Sequence, residues 1–262
     1  MKRILGLTVA FAALLIFVGC EETITLIAPV VDYAVADSGA TLSLTWDEVD
    51  GADGYIIYAD GEVVDTVTTA SYDATAPAMV YAVSAYEGED NESATDEVDC
   101  EPVVTANLAV YGLSDPATDH HSGLGFNTSG TAVTYSVVAA NYDALDFVFD
   151  DRDPLDFLNI VSPDGFDPAF NDESNTTAAS STTSFDALDI AAAPGNYASP
   201  RELADDAVYS LWIDPSDDNW DDTEDHFGKM KIESLTGTVA PFSATVTVAY
   251  QPIAGLRWLV TE

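Results

Sequence analysis

The stretch Thr41-Leu42-Ser43-Leu44-Thr45-Trp46, the turn Asp50-Gly51-Ala52-Asp53, and then Gly54-Tyr55-Ile56-Ile57-Tyr58-Ala59-Asp60-Gly61 decides the reading of this chain. Leu42, Leu44 and Trp46 alternate with Thr41, Ser43 and Thr45, the period-2 signature of a strand with one buried face. Asp60-Gly61 then closes a hairpin, because Gly accepts a positive φ at no steric cost. Working outward, Val63 to Thr68 and Val80-Tyr81-Ala82-Val83-Ser84-Ala85-Tyr86 read as further short strands. About seven such strands within 28–99 predict a small β-sandwich.

Past Glu101-Pro102 the pattern stays β. Strands are expected at 103–111, 131–140, 145–149, 208–213, 229–235, 242–250 and 256–260. In 208–213, Tyr209, Leu211 and Ile213 share one parity, and 242–250 alternates throughout. Short helices are expected at 154–161 or 200–206, the second from Ser199 before Pro200 with Glu202 three residues on. The Ser/Thr/Asn-rich run 171–184 reads as an exposed loop. The expected fold class is therefore all-β: a first sandwich over 28–99, a linker at 100–102, and a larger β-sandwich or barrel over 103–262.

The chain has 262 residues, 46 acidic against 7 basic, for a formal charge of −39. Phosphate-backbone binding needs Lys and Arg to displace counterions, which argues against a nucleic-acid partner. Hydrophobic residues make up 47%, enough for a packed core despite the charge. Asp-rich, Lys-poor surfaces also suit a saline medium, a reading that competes with any dedicated acidic site.

Lys2 and Arg3 precede an uncharged, mostly apolar run over 4–18, which is too short to span a bilayer and reads as a signal peptide. It ends at Val18-Gly19-Cys20, followed by Glu21-Glu22. A Cys after a small residue at this place resembles the lipobox of bacterial lipoproteins. The resemblance implies cleavage after residue 19, lipidation of Cys20, a tether over 20–27, and location in the cell envelope, at the outer membrane or cell surface. Several acyl chains would hold the protein to the membrane. Cys100 is then left as a lone thiol, buried or at a junction.

The residues over 42–61, with Tyr81-Ala82-Val83-Ser84-Ala85-Tyr86, are similar to a fibronectin type III domain. That resemblance implies a core role for Trp46 and a tyrosine corner at Tyr81. The chain departs from the family's usual Leu and Pro-Gly turn, carrying Ala74-Thr75-Ala76-Pro77-Ala78 there. Such a domain serves as a spacer or as an adhesive module; no Arg-Gly-Asp is present. The C-terminal stretch with Phe227-Gly228-Lys229-Met230 resembles β-rich haem-carrier lipoproteins, without a diagnostic motif.

Chemistry concentrates at 214–225. Asp214, Asp217, Asp218, Asn219, Asp221, Asp222 and Asp225 crowd one loop with Glu224. Ca²⁺ takes six to eight oxygen ligands, and closely spaced Asp and Asn supply them. Asp214, Ser216 and Asp218 match EF-hand positions one, three and five, but Asn219 stands where Gly is required and neither flank reads as a helix. The competing reading is a solvated acidic loop. A second acidic group, Asp143, Asp146, Asp150, Asp151 and Asp153, is read either as a cation site or as strand-end caps. Trp212 and Trp220, with Tyr197, are candidates for stacking on a sugar ring. His226 with His120 or His121 is the candidate pair for haem iron or a metal.

No Gly-x-Ser-x-Gly, His-Glu-x-x-His or phosphate loop occurs. The expectation is a non-enzymatic surface lipoprotein whose spacer presents a binding or adhesion domain, rigidified by calcium, with a glycan or surface protein as ligand. A haem or metal carrier is the alternative, and a secreted glycan-active hydrolase the second alternative.

Overall fold

The structure is a computed structural model that describes residues 25–152, 154–166, 177–214 and 220–262. Cys20 and the signal segment lie outside the described residues, as do Asp153, residues 171–176 of the 171–184 run, and Ser216, Asp217, Asp218 and Asn219 of the acidic loop.

The chain is all-β. Eight strands come from its first part: β1 (Val31–Ala36), β2 (Thr41–Trp46), β3 (Gly54–Ala59), β4 (Glu62–Val67), β5 (Ser71–Ala74), β6 (Val80–Glu87), β7 (Asn91–Glu92) and β8 (Asp96–Asp99). One sheet runs β1-β2-β5. The other runs β4-β3-β6-β7, with β8 also on β6. Alternation places Leu42, Leu44 and Trp46 in the space between them, where Trp46 meets Tyr55 edge-on at 5.1 Å. The β3–β4 turn has φ +50° at Asp60 and +80° at Gly61, the two positive values a tight hairpin needs. Asp60 Oδ1 also accepts the N–H groups of Met79 and Val80, tying this turn to the start of β6.

Ten strands follow among the described residues: β9 (Val103–Tyr111), β10 (Gly123–Phe126), β11 (Ala132–Tyr135), β12 (Phe147–Asp150), β13 (Asn159–Val161), β14 (Thr177–Ser181), β15 (Arg201–Glu202), β16 (Val208–Ile213), β17 (His226–Thr236) and β18 (Ser243–Tyr250). They form two five-stranded sheets, β11-β10-β12-β13-β15 and β14-β16-β17-β18-β9. The sheets sandwich a core that includes Leu124, Phe147, Phe149, Tyr209, Leu211, Met230, Ile232, Val246 and Val248.

Several expectations are corrected. Strand 131–140 stops at Tyr135, and a 3-10 helix occupies Ala139–Ala144. Helices fail at both expected places. Ile160 pairs with Phe149 on one side and Arg201 on the other, so the 154–161 run ends as a buried strand and Arg201–Glu202 is its partner. The only α-helical turn described here is Pro163–Phe166. Within 171–184, Thr177–Ser181 is no loop but the edge strand β14, with Ala178 and Ala179 buried. Small side chains fit that covered position.

The largest surprise is the C-terminus. Instead of a strand over 256–260, residues 189–191 and 257–259 pair as a short strap: Ala191 N–H donates to Arg257 O (2.8 Å) and Leu259 N–H to Asp189 O (2.7 Å). Ile253, Leu256 and Trp258 pack into the core of the first sandwich. The last residues are therefore shared, and the second unit does not keep the whole of 103–262 to itself.

Candidate functional site

The acidic loop 214–225 joins β16 to β17, neighbours in one antiparallel sheet, so its flanks are strands and not the helices of an EF-hand. The last register pair is Ile213 with His226. Asp214 and Asp225 stand just beyond it, at the loop's base. Both are buried, with 1% and 0% of their surface exposed. Asp225 Oδ2 accepts the indole N–H of Trp212 (3.0 Å) and the backbone N–H of Asp221 (2.9 Å), while its Oδ1 has no hydrogen-bond partner. Burial pushes the Asp225 carboxyl up to about 6, aided by the charges of Asp214 and Asp221 and opposed by those two hydrogen bonds.

The remaining described acids of the loop behave differently. Asp221 and Asp222 are exposed, and Asp221 Oδ1 is engaged by the N–H and hydroxyl of Thr223. Those local bonds lower the Asp221 pKa. The described acids of the expected calcium loop are therefore not equivalent: Asp214 and Asp225 are buried at its base, whereas Asp221 and Asp222 are solvated. Among the described residues no three His, Cys, Asp or Glu side chains are gathered to hold a metal.

The sugar-platform reading of Trp212 and Tyr197 is overturned. Trp212 lies on the parity of β16 opposite Leu211, away from the core between the two five-stranded sheets. The strap 189–191/257–259 covers that face, and Trp212 packs with Phe227, Ala191 and Leu259, with Tyr197 edge-on at 5.5 Å. Trp220 is half-buried between this cluster and the first core, its indole N–H on Gly255 O (3.1 Å). No face of Trp212 is free to stack on a ligand.

The histidine pairing also fails. His226 stacks on Tyr250 (4.9 Å), and its Nδ1 lies 3.0 Å from Gln251 O. Burial lowers its pKa. His120 stacks on Tyr111 at 3.7 Å, and Tyr111 N–H donates to His121 O. Tyr250 pairs with Val103 and Ser243 with Tyr111, so the two sites sit at opposite ends of β9. Eight residue steps of extended strand separate them by about 26 Å. One iron cannot bind both.

Of the second acidic group, Asp146, Asp150 and Asp151 are committed to structure, Asp143 is exposed, and Asp153 lies outside the described residues. Asp150 is paired with Arg152 (2.9 and 3.0 Å). Asp151, 2% exposed, accepts from Ser114 N–H, Ser114 Oγ and Phe242 N–H. Asp146 accepts Phe126 N–H (2.8 Å), and its burial pushes the pKa up to about 7.

Sequence reasoning missed Lys229. It is fully buried on the strap side of β17, donating to Phe185 O (2.7 Å), Leu188 O (3.4 Å) and Thr261 Oγ1 (3.0 Å), with the Phe185 ring 4.5 Å away. Burial draws its ammonium down to about 8. The only signal was its parity opposite Met230 and Ile232, which also fits an exposed lysine. Where the strap ends, the same sheet face opens into a polar groove of about 600 Å³ beside Ser181–Asp186, lined by Lys231, Glu233 and Thr247. Lys231 there meets Glu233 at 2.8 Å.

No protein-family model matches the chain, and a search of curated proteins gives no match.

Proposed function

We propose that this chain is a non-enzymatic lipoprotein of the cell envelope, tethered at Cys20, whose first sandwich is a fibronectin type III-like spacer for a binding or adhesion unit. The spacer reading is supported by the packing of a three-stranded sheet on a second, antiparallel sheet built around β3 and β6, by Trp46 in the core, and by Tyr81, whose hydroxyl donates to Ala76 O five residues upstream (2.7 Å), as in a tyrosine corner.

The observation that carries the binding role is the open groove on the outer sheet face at Lys231, Glu233 and Thr247. Three buried ionisable groups elsewhere, Asp150, Asp151 and Lys229, are engaged in bonds that hold the fold. The groove is rich in hydroxyls and charge, the donors and acceptors that suit a glycan or a polar protein surface. The strong net negative charge favours neutral or cationic ligands.

The test uses cells expressing the full chain, its Cys20→Ser variant and its Lys231→Glu variant. Fatty-acid labelling and membrane fractionation read the tether, and a glycan panel with hydrolysis products monitored reads the groove. The proposal expects loss of label only in Cys20→Ser, and binding without turnover that weakens in Lys231→Glu. Release of reducing sugar, or label retained in Cys20→Ser, overturns the corresponding half.

A further inference from the structure

We infer that the base of the 214–225 loop is a calcium site built on Asp225 and Asp214, and that the bound ion fastens the segment joining the two sandwiches. The inference does not depend on lipidation or on the ligand of the groove.

Two observations carry it. The first is charge: two buried carboxylates face one loop base in a strongly acidic chain. Burying an ionised carboxylate is costly unless it is paired, hydrogen-bonded or metal-bound. The second is the state of Asp225 Oδ1, a fully buried carboxylate oxygen with no hydrogen-bond donor, while its sister Oδ2 has two. Those two donors hold the carboxylate in place and leave the open oxygen as a ready ligand. His226 beside it is occupied with Tyr250 and Gln251, so the donors at hand are oxygens, the preference of a hard cation. With two carboxylates, main-chain oxygens and water complete the shell, which Ca²⁺ accepts more readily than Mg²⁺ does because its geometry is flexible.

The mechanical consequence follows from what Asp225 holds. Its carbonyl accepts Gly255 N–H (2.7 Å), and Gly255 O accepts the Trp220 indole. Gly255 has φ +75°, and a Cβ there would come within 2.7 Å of Asp222 Cα, so the loop and this residue fit only as glycine allows. Two residues on, Arg257 N–H donates to Gly39 O and its Nε to Ser38 O, both in the first sandwich. An ion that neutralises the loop base therefore steadies Gly255 and, through it, the junction.

The full chain in non-ionic detergent is melted in Ca²⁺, Mg²⁺, chelator and NaCl at matched ionic strength. Tb³⁺ luminescence excited through tryptophan is recorded in parallel, since Trp212 touches Asp225. At a hundred times its dissociation constant, Ca²⁺ is expected to raise Tm by about 5–10 °C, with Tb³⁺ emission that Ca²⁺ displaces. Asp225→Asn and Asp214→Asn should each abolish both signals, while Glu224→Gln, an equal loss of charge on the exposed rim, should keep them. An equal shift with NaCl, or a Ca²⁺ shift that survives in Asp225→Asn, overturns the site. If neither Asp variant folds, the wild-type Tb³⁺ signal decides: its absence, or its indifference to Ca²⁺, overturns the proposal.

Discussion

The indole N–H of Trp258 donates to the carbonyl of Ala40, 218 residues earlier in the chain (3.2 Å). The same ring lies 5.7 Å from Tyr81, inside the first sandwich. Gln251 closes the other side: its amide donates to Cys100 O and Trp258 O, and its Oε1 accepts Ile253 N–H. The C-terminal segment is thus a plug in the first core that continues, through Leu259, into the strap over the outer face of the second sandwich.

Trp258→Ala removes a fully buried ring from that plug. Such truncations cost about 3–5 kcal/mol. Urea unfolding of the wild type is expected to show one transition, and the variant two, as the sandwiches lose their coupling. A single transition of unchanged midpoint in the variant would show that the plug carries no stability.

Asp151 accepts three hydrogen bonds from two distant segments, at Ser114 and Phe242. Asp151→Ala leaves the buried Phe242 N–H without a partner and is expected to cost about 3 kcal/mol or more. Asp151→Asn keeps acceptors and should cost less. Chemical denaturation of both variants against wild type measures the difference.

Asp146 gives the pH dependence. Its carboxyl titrates near 7 in the fold against an ordinary 3.8, so the native state keeps a proton that the unfolded chain releases. Stability then falls as pH rises from about 4 to about 7 and is level beyond. Three pH units at about 1.4 kcal/mol each give an upper bound of about 4 kcal/mol. Asp146→Asn, which still offers an oxygen to Phe126 N–H, should match wild type at pH 4 and exceed it at pH 8. Urea melts at the two pH values test this, and equal gaps at both would refute it.

Tyr81→Phe deletes one hydroxyl and its bond to Ala76 O while leaving the ring in place. The expected loss is about 1 kcal/mol. Because the Tyr81 ring also meets Trp258, Tyr81→Ala should cost far more, and comparing the two variants by thermal melt separates the corner bond from the packing.

Strand positions were the most legible feature. Val103–Tyr111 and Val208–Ile213 fall where alternation places them, and Asp60-Gly61 makes the hairpin its φ requirements predict. Alternation reports which side chains share a face, and turn residues report local backbone need; both are local. Trp212 shows the limit. It alternates with Leu211 and so faces away from the second core, yet it is no open platform for a sugar ring, because a strap from two remote segments covers that face. Lys229 was hidden for the same reason.

By itself, the sequence determined that the chain is all-β, where most strands lie, which parity faces the first core, and that acid crowds 214–225. These follow from period-2 burial and from turn chemistry, which act within a few residues. Tertiary structure alone decided that 253–258 serve the first core, that His226 and His120 lie at opposite ends of a sheet, and that Asp214 and Asp225 are buried while Asp221 and Asp222 are not. Each of these depends on pairings between segments tens to hundreds of residues apart, and burial at such a place is set by what folds over it.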